Sequence, residues 1–258
     1  MASLIILALA LFAGAASATE LRIVGGETTS VNEYPSIAQV DFLGTASGIW
    51  SQSCGANILT SRYVLSAAQC FSGIFYDPKN RRIRAGTSYR NTGGQLAYVQ
   101  YAFNHPSYGQ NDMDADITVV LLKEPFVYNP NIQQVTIVPQ GYEIPANVSS
   151  VLVGWGATQI GGLQSTELQA AVVRTIPRDE CLEIYKNLTL ARNVTENMIC
   201  TQSFDDDTRD ACQGDFGGPV YFSDILVGIL SWGQGCGDYP TVSTAVSSYT
   251  DWIVSVAV

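Results

Sequence analysis

The sequence has 258 residues but contains only one histidine, His105, and only three lysines among its 13 basic residues. A single histidine excludes any metal site that needs two imidazoles. The six cysteines include no Cys-x-x-Cys pair, which also argues against zinc. With 23 acidic residues, the chain lacks the basic excess that nucleic-acid binding requires. The sequence therefore predicts no metal, no other cofactor and no nucleic-acid partner.

Long apolar runs are absent after the first eighteen residues. Residues 1–18 are uncharged and end in Ala-Ser-Ala, the small-x-small pattern at which signal peptides are cleaved. This run is too short to span a membrane, and no later stretch approaches about 20 apolar residues. We therefore predict a signal peptide at residues 1–18 and a secreted, extracellular protein that does not associate with membranes.

Secretion changes how the cysteines are interpreted, because disulfides persist in oxidising compartments. Six cysteines predict a framework of disulfides, and the sequence by itself allows about 15 pairings. Secretion also makes three Asn-x-Ser/Thr sequons candidates for glycosylation, at Asn147, Asn187 and Asn193.

After residue 23 the apolar runs are short, often alternating, and separated by glycine, asparagine and proline, which is typical of an all-β protein. The pattern predicts strands at residues 37–41, 57–60, 63–66, 82–85, 96–103, 116–122, 151–156, 168–175, 198–201, 219–223, 225–231 and 241–245. Helices are predicted at residues 178–185 and 248–258.

Several short motifs follow one another in a recognisable order. Residues 23–26 read Ile-Val-Gly-Gly, residues 63–70 end in Ala-Ala-Gln-Cys, and Asp116 precedes an apolar strand. Gly-Trp-Gly follows at 154–156, Gly-Asp-Phe-Gly-Gly-Pro at 214–219 and Ser-Trp-Gly at 231–233. From residue 23 onward the chain thus resembles the trypsin/chymotrypsin-like (S1) serine proteases, with two changes at the catalytic centre.

The resemblance implies a triad of histidine, aspartate and serine, of which only the aspartate remains. Phe216 occupies the position of the nucleophilic serine, and a benzyl group has no oxygen to deprotonate. Gln69 occupies the position of the histidine, and a primary amide cannot act as a general base. Asp116 is expected to be buried and to accept hydrogen bonds, one of them from Gln69. His105 matches a surface-loop residue of the family and is predicted to be structural.

By the same resemblance, the fold is all-β, with two six-stranded antiparallel β-barrels and a C-terminal helix. The expected divisions are the signal peptide 1–18, an activation propeptide 19–22 and a protease-like domain 23–258. Within that domain, barrel one covers about 23–130, barrel two 131–247 and the helix 248–258. The family pattern assigns three disulfides, Cys54–Cys70, Cys181–Cys200 and Cys212–Cys236.

The resemblance also implies maturation from a zymogen. Arg22-Ile23 matches the activation site that a trypsin cuts, and Asp215 matches the aspartate that pairs with the new amino terminus at Ile23. An inherited Asp215 that only forms local hydrogen bonds is an equal alternative. Gly214 and Phe216 would supply the backbone N–H groups of an oxyanion hole, although the phenyl ring is expected to fill the substrate's place.

Asp210 matches the residue at the base of the family's primary specificity pocket, where it suits arginine and lysine. Gly233 matches one pocket glycine, but Thr241 replaces the other and is expected to crowd the pocket. The family's calcium loop is not supported either, because residues 86–95 contain no acidic side chain.

Arginine supplies the ten basic residues that are not lysine. Because arginine stays charged at a higher pH than lysine, this bias suits an alkaline fluid. It is similar to the digestive trypsins of lepidopteran midgut, and compositional drift is an equal alternative.

The sequence therefore favours a catalytically inactive homologue, a pseudoenzyme that acts by binding as a monomer. Its partners would be protein protease inhibitors, active proteases or peptides. Two alternatives stay open, a digestive hydrolase with residual or rewired activity that uses Ser231 or Tyr221, and a structural or storage protein.

Overall fold

The computed structural model describes residues 26–157, 161–188, 192–204 and 211–258. The predicted signal peptide and propeptide, together with Arg22, Ile23 and Asp210, lie outside these ranges. None of the helices in the described ranges is long and apolar enough to cross a membrane.

The first half of the chain forms a closed antiparallel barrel, barrel one. A two-residue strand, β1 (Glu27–Thr28), precedes it. The barrel strands are β2 (Ile37–Leu43), β3 (Trp50–Ile58), β4 (Tyr63–Ser66), β5 (Arg81–Ala85), β6 (Gln95–Asn104) and β7 (Thr118–Leu122). They pair in the order β2-β3-β4-β7-β6-β5, and β5 closes the ring on β2.

The second half forms barrel two. Its strands are β9 (Ser149–Gly154), β10 (Gln169–Ile176), β11 (Met198–Ser203), β12 (Pro219–Phe222), β13 (Ile225–Trp232) and β14 (Thr241–Ala245). Pairing in the order β9-β10-β11-β14-β13-β12 closes a ring, because β12 also pairs with β9. The short β8 (Thr136–Ile137) adds to β13 in parallel, and β1 adds to β10. The predicted fold class is confirmed.

Alternation of side chains explains how the strands build these interiors. In β6, Ala97 and Val99 are buried while Tyr98 and Tyr101 are exposed, with a register shift between Val99 and Tyr101. Successive side chains of a strand point to opposite faces, so the apolar set fills the barrel and the aromatic set faces outward.

Two helices complete the fold, α1 (Arg178–Lys186) and α2 (Thr250–Val256). Helix α1 follows Pro177 and carries Asp179 and Glu180 in its first turn and Lys186 in its last, charges that complement the helix dipole. Short 3-10 turns occur at Ala68–Phe71, Pro78–Asn80 and Val246–Ser248.

Several sequence-based boundaries differ from the structure by one residue or more, and three of the differences have a local reason. The strand predicted at 57–60 starts at Trp50, because polar residues such as Gln52 hide a segment that pairs with β2. The strand predicted from residue 116 starts at Thr118, because a tight turn joins the Ile117 N–H to the Ala115 carbonyl. The C-terminal helix spans Thr250–Val256 instead of 248–258, because a 3-10 turn precedes it.

All three predicted disulfides are present, Cys54–Cys70, Cys181–Cys200 and Cys212–Cys236. The first connects β3 to the 3-10 turn that carries Gln69, and the second connects α1 to β11. The third braces the loop that carries Phe216. Two of the three therefore stabilise the segments that form the site.

Candidate functional site

The loop 214–218 leads from the Cys212 disulfide into β12 and is anchored on barrel one. Three hydrogen bonds from β3 reach its carbonyl oxygens: Gln52 Nε2 to Gly214 at 2.7 Å, Gly55 N to Phe216 at 2.8 Å and Asn57 Nδ2 to Gly217 at 3.2 Å. All three donors are buried, so the loop is held where the two barrels meet.

Glycine is required where this loop passes closest to barrel one. Gly217 has a φ of +84°, a conformation that residues with a side chain rarely adopt. A Cβ at this position would lie 2.3 Å from Ser66 Oγ and 2.5 Å from the Gly55 carbonyl oxygen. The backbone next to Phe216 therefore has a conformation and a close approach to barrel one that only glycine permits.

Phe216 lies in this loop at the position of the family's serine and is partly exposed. Its carbonyl oxygen is bonded to barrel one, while its side chain provides neither a nucleophile nor a proton. The N–H groups of Gly214 and Phe216 donate no hydrogen bond to any group that the structure describes. Both donors of the predicted oxyanion hole are thus uncommitted within that part of the chain.

Gln69 and Asp116 lie in direct contact beside this loop. The Gln69 side-chain amide donates to Asp116 Oδ2 at 2.6 Å and to the Ser231 carbonyl oxygen at 2.6 Å. The Gln69 backbone N–H donates to Asp116 Oδ1 at 2.8 Å. The hydrogen bond that the sequence predicted between Gln69 and Asp116 is therefore present, and the amide bridges the carboxylate to β13.

Ser231 supplies a further bond, with Oγ donating to Asp116 Oδ2 at 2.6 Å. Burial raises the pKa of the Asp116 carboxyl, and the hydrogen bonds from Ser231 and Gln69 act against that rise. Donors therefore surround the carboxylate, and none of the three side chains in this cluster provides an imidazole-like group that could carry a proton to and from a substrate.

The two hydroxyls considered as replacement nucleophiles are both buried. Ser231 is 1% exposed and its proton points to Asp116. Tyr221 is also buried, and its hydroxyl is 2.9 Å from Ser36 Oγ. Burial raises the pKa of the Tyr221 hydroxyl further above its ordinary value near 10, which opposes ionisation. Neither hydroxyl is accessible to a substrate carbonyl.

Asp215 is the second buried carboxylate of the site. It accepts hydrogen bonds from the backbone N–H groups of Gly156, at 2.7 Å, and Cys212, at 3.1 Å. A Cβ on Gly154 would lie 2.0 Å from Asp215 Oδ1, so glycine is needed beside it. Burial raises the pKa of Asp215 to about 6, although both hydrogen bonds lower it. Among the described residues no cation lies within 4.0 Å of this carboxylate.

These contacts show that Asp215 forms local hydrogen bonds. Its predicted partner, the amine of Ile23, lies outside the described residues together with Arg22. The pairing of Asp215 with a new amino terminus therefore stays a prediction.

The specificity-pocket positions are only partly described, because Asp210 lies outside the described ranges. Thr241 is buried and faces Gly233, where a Cβ would lie 3.6 Å from Thr241 Oγ1. The crowding of a specificity pocket by Thr241 stays a prediction, because the expected base of that pocket lies outside the described residues.

His105 lies against the C-terminal segment. Its ring makes edge contacts with Tyr249 and Trp252, at centroid distances of 4.7 and 4.9 Å, and its Nδ1 accepts from the Ser107 N–H. Burial lowers its pKa. These contacts agree with a structural role for the single histidine.

Two further predictions concern glycosylation and metal binding. The sequon residues Asn147, Asn187 and Asn193 are all exposed, which permits glycosylation. Within the described ranges no three His, Cys, Asp or Glu side chains are close enough to hold a metal ion.

Sequence reasoning missed the residues that support the site. Gln52 and Asn57 are polar yet fully buried in β3, and both bind carbonyl oxygens of the loop that carries Phe216. The amides near Cys54 could have indicated a buried polar cluster. That interpretation would have required knowing that this segment is a strand, which the sequence pattern predicted only from residue 57 onward. Ser231 was considered as a nucleophile and is instead a donor to Asp116.

Comparisons with known proteins agree with this architecture. The family model described as Trypsin matches residues 23–253. Alkaline trypsin C of Manduca sexta is 37% identical over 242 residues, covering 93% of this chain and 92% of that protein. Trypsin CFT-1 of Choristoneura fumiferana is 36% identical over 235 residues, covering 90% of each.

Among solved structures, the scabies mite inactivated protease paralogue S-D1 superposes with a TM-score of 0.81. It is 23% identical and covers 91% of this chain and 97% of its own. At this identity the match shows a common fold, with the same two-barrel architecture.

Proposed function

The chain belongs to the trypsin family, and we propose that it is a secreted member without peptidase activity that acts by binding other molecules. One observation carries this proposal. Gln69 and Phe216 occupy the base and nucleophile positions, and the surviving Asp116 is hydrogen-bonded to the Gln69 amide and the Ser231 hydroxyl. The relatives that it resembles are named trypsins, but their activity requires groups that are absent here.

The chemistry of the cleft supports the loss of catalysis at each step. Attack on a carbonyl needs a hydroxyl or thiol, and Phe216 offers neither. Activation of that nucleophile needs a base that titrates near the working pH, and the Gln69 amide does not. Asp116 can orient an imidazole but cannot replace one, because its oxygens already accept the bonds described above.

The retained scaffold supports a binding role. The loop around Phe216 is anchored by three hydrogen bonds from β3. Protein inhibitors of proteases recognise the shape of a cleft, so a chain with that shape and no chemistry can hold an inhibitor without cleaving it. We propose protein protease inhibitors as the first partner class, with active proteases and peptides as further ones, and a monomer as the binding form.

The compartment follows from the same features. Three disulfides fit an oxidising, extracellular environment. The arginine-rich, lysine-poor composition fits an alkaline one, and two relatives are named alkaline trypsins. We propose an alkaline gut lumen as the site of action.

Hydrolysis of peptide esters is the direct test. We expect that protein cleaved after Arg22 does not hydrolyse Arg, Lys and Phe esters faster than buffer alone does. We also expect that a serine-directed phosphonate does not label it. In an unrelated enzyme with the same triad, loss of the serine or histidine lowers turnover by about 10⁶-fold. Active trypsin is the positive control. Turnover that survives inhibitors of trace proteases, or labelling of the intact chain, would contradict the proposal.

Binding is measured separately against immobilised protein inhibitors of trypsin. We expect Phe216→Ala to weaken capture by about tenfold, because a partly exposed ring loses apolar contact. Val127→Ala is the matched control, since Val127 is exposed on a connection of barrel one and lies outside the cleft. Equal capture of all three proteins, or none by the wild type, would exclude the cleft as the inhibitor site.

A further inference from the structure

A cavity of about 500 Å³ opens on barrel one, between the β2–β3 hairpin and the segment that leads into β5. Its walls include apolar side chains, serine hydroxyls and one buried cation: Phe42, Ile49, Ser51, Ser53, Phe75 and Arg81. It lies outside the cluster of Gln69, Asp116 and Phe216, none of which lines it. No acidic residue is among the described residues that line it.

Arg81 is the distinctive group of this cavity, because it is 7% exposed and forms no ion pair with any carboxylate among the described residues. Its Nε donates to the Cys70 carbonyl at 3.0 Å, and Nη1 donates to Asn80 Oδ1 at 2.6 Å. The guanidinium carbon lies 3.5 Å from the centroid of the Phe42 ring. Nη2 donates no hydrogen bond to any group in the described part of the chain.

The neighbouring arginines on the same strand differ from Arg81 in this respect. Arg82 and Arg84, on the same strand, both bind Asp41 Oδ2, at 2.9 and 3.0 Å. Within the described ranges no carboxylate lies within 4.0 Å of Arg81. The chain has ten more acidic than basic residues, so acidic side chains are not scarce. A buried cation without a counter-ion is costly, and a carboxylate brought by a ligand offsets that cost.

The side chains at the mouth of the cavity indicate which chemical groups lie beside the carboxylate in the ligand. Ile49 is 66% exposed and Phe75 is 83% exposed, on the two segments that border the opening. Large apolar side chains grouped at a cavity mouth favour a ligand with apolar surface of its own. Because Arg81 is a buried residue, a carboxylate on a flexible stem reaches its guanidinium more easily than one attached directly to a backbone.

We propose that this cavity binds a segment of a partner protein in which a glutamate or aspartate side chain is flanked by an apolar residue. The carboxylate pairs with Arg81, and the apolar neighbour packs on Phe75 and Ile49. The site goes beyond the proposed function, because it stands whether or not the catalytic cleft is silent.

Fluorescence polarisation with a short labelled peptide tests the proposal. The probe is fluorescein-Gly-Ser-Phe-Glu-Phe-Ser-Gly-amide, and its partner probe carries Gln in place of Glu. Because both ends are blocked and both probes carry the same dye, the glutamate is the only carboxylate by which the two probes differ. We expect the Glu peptide to bind at least about tenfold more tightly than the Gln peptide, the range for a hydrogen bond to a charged group. A second pair of peptides, Gly-Ser-Phe-Gln-Phe with a free or an amidated C-terminus, tests whether the site prefers a C-terminal carboxylate to a glutamate side chain. Preference for that free acid over the Glu peptide would overturn the assignment to a side chain.

Two surface variants keep the test independent of folding. Phe75→Ser is expected to weaken the Glu peptide severalfold, whereas Ile74→Ser is expected to leave it unchanged. Ile74 is 92% exposed, adjacent in sequence and not part of the cavity lining, so it is the matched control. Arg81→Gln is expected to abolish the difference between the Glu and Gln peptides, with folding checked by circular dichroism.

The outcomes separate this site from the cleft. Phe216→Ala should not change the affinity for the Glu peptide, because Phe216 does not line this cavity. A negative result for the peptide site therefore does not bear on the hydrolysis and inhibitor assays of the proposed function. Equal affinity for the Glu and Gln peptides in the wild type would overturn the proposal. Equal loss in the Phe75 and Ile74 variants would overturn it as well.

Discussion

Two buried carboxylates lie in the site, and their surroundings differ. Asp116 is surrounded by side-chain donors, the Gln69 amide and the Ser231 hydroxyl, in addition to the Gln69 backbone N–H. Asp215 receives only two backbone N–H groups, from Gly156 and Cys212. One carboxylate has lost its imidazole partner and gained an amide. The other has, among the described residues, no charged partner.

This difference indicates how the site has been altered. The Gln69 amide donates one hydrogen bond to Asp116 where a histidine would donate one, so the carboxylate keeps a side-chain donor. Under the proposed loss of catalysis, glutamine at residue 69 therefore leaves no acceptor of this carboxylate unpaired. At Asp215 burial raises the pKa to about 6, against the effect of its two backbone hydrogen bonds. Asp116 therefore has side-chain donors, whereas the cationic partner expected for Asp215, the amine of Ile23, stays a prediction.

The largest expected effect is on catalysis at Asp116. If its surroundings still accept an imidazole, Gln69→His with Phe216→Ser rebuilds a triad on the anchored loop. We expect the double variant to hydrolyse esters at least about 10²-fold faster than either single variant, since each single one lacks the base or the nucleophile. Steady-state ester hydrolysis of purified protein cleaved after Arg22 measures this.

A further change tests the specificity pocket in the same background. Thr241→Gly is expected to raise turnover of Arg esters more than of small apolar esters, because Thr241 faces Gly233 where a long side chain would enter. If the folded double variant is inert on every ester, the cleft has changed beyond these two positions.

A smaller effect concerns stability around Asp116. Asp116→Ala leaves the Gln69 amide and the Ser231 hydroxyl without their acceptor. We expect the free energy of unfolding to fall by about 2–5 kcal/mol, since each unsatisfied buried donor costs about 1–3 kcal/mol. Urea denaturation with the disulfides intact measures this. Glu124→Ala, at an exposed position, is the control, and an equal loss in both variants would show that the cluster contributes nothing.

The sequence predicted the strands and disulfides of the molecule better than the side-chain contacts between distant segments. The barrel strands follow from alternation, since a position such as Val99 is apolar between Tyr98 and Gln100. The contact between Gln69 and Asp116 was predictable from the resemblance, whereas the loss of the base and nucleophile at Gln69 and Phe216 stays a prediction. The disulfides followed from the family resemblance.

Features that depend on two distant segments were not predictable. The first half of β3 is mostly polar, and Gln52 is buried there with its amide donating to the carbonyl oxygens of Cys54 and, across from barrel two, Gly214. Arg81 looks like its neighbour Arg82 in the sequence, but only Arg82 reaches Asp41 on β2. Local patterns do not contain these pairings, which arise when the strands register.

The smallest expected effect is a pH dependence that belongs to Asp215. In the folded chain its pKa is raised to about 6, mainly by burial. In the unfolded chain it is near the ordinary value of about 3.9. The folded state therefore keeps a proton that the unfolded state releases, and the free energy of unfolding of the uncut protein should fall as pH rises from about 4 to 6. The decline should amount to roughly 3 kcal/mol, and the contribution should be constant above pH 6.

Cleavage after Arg22 sharpens this test. Protein kept uncut by Arg22→Gln should show the decline, and adding Asp215→Ala should remove it. If the freed Ile23 ammonium pairs with Asp215 in the cut protein, it lowers the carboxyl pKa, and the decline should disappear there also. Asp215→Ala should then lower the melting temperature of the cut protein at pH 8 but hardly that of the uncut one. Identical pH profiles for cut and uncut protein would mean that the carboxylate stays with its two backbone donors and that no cation completes the site.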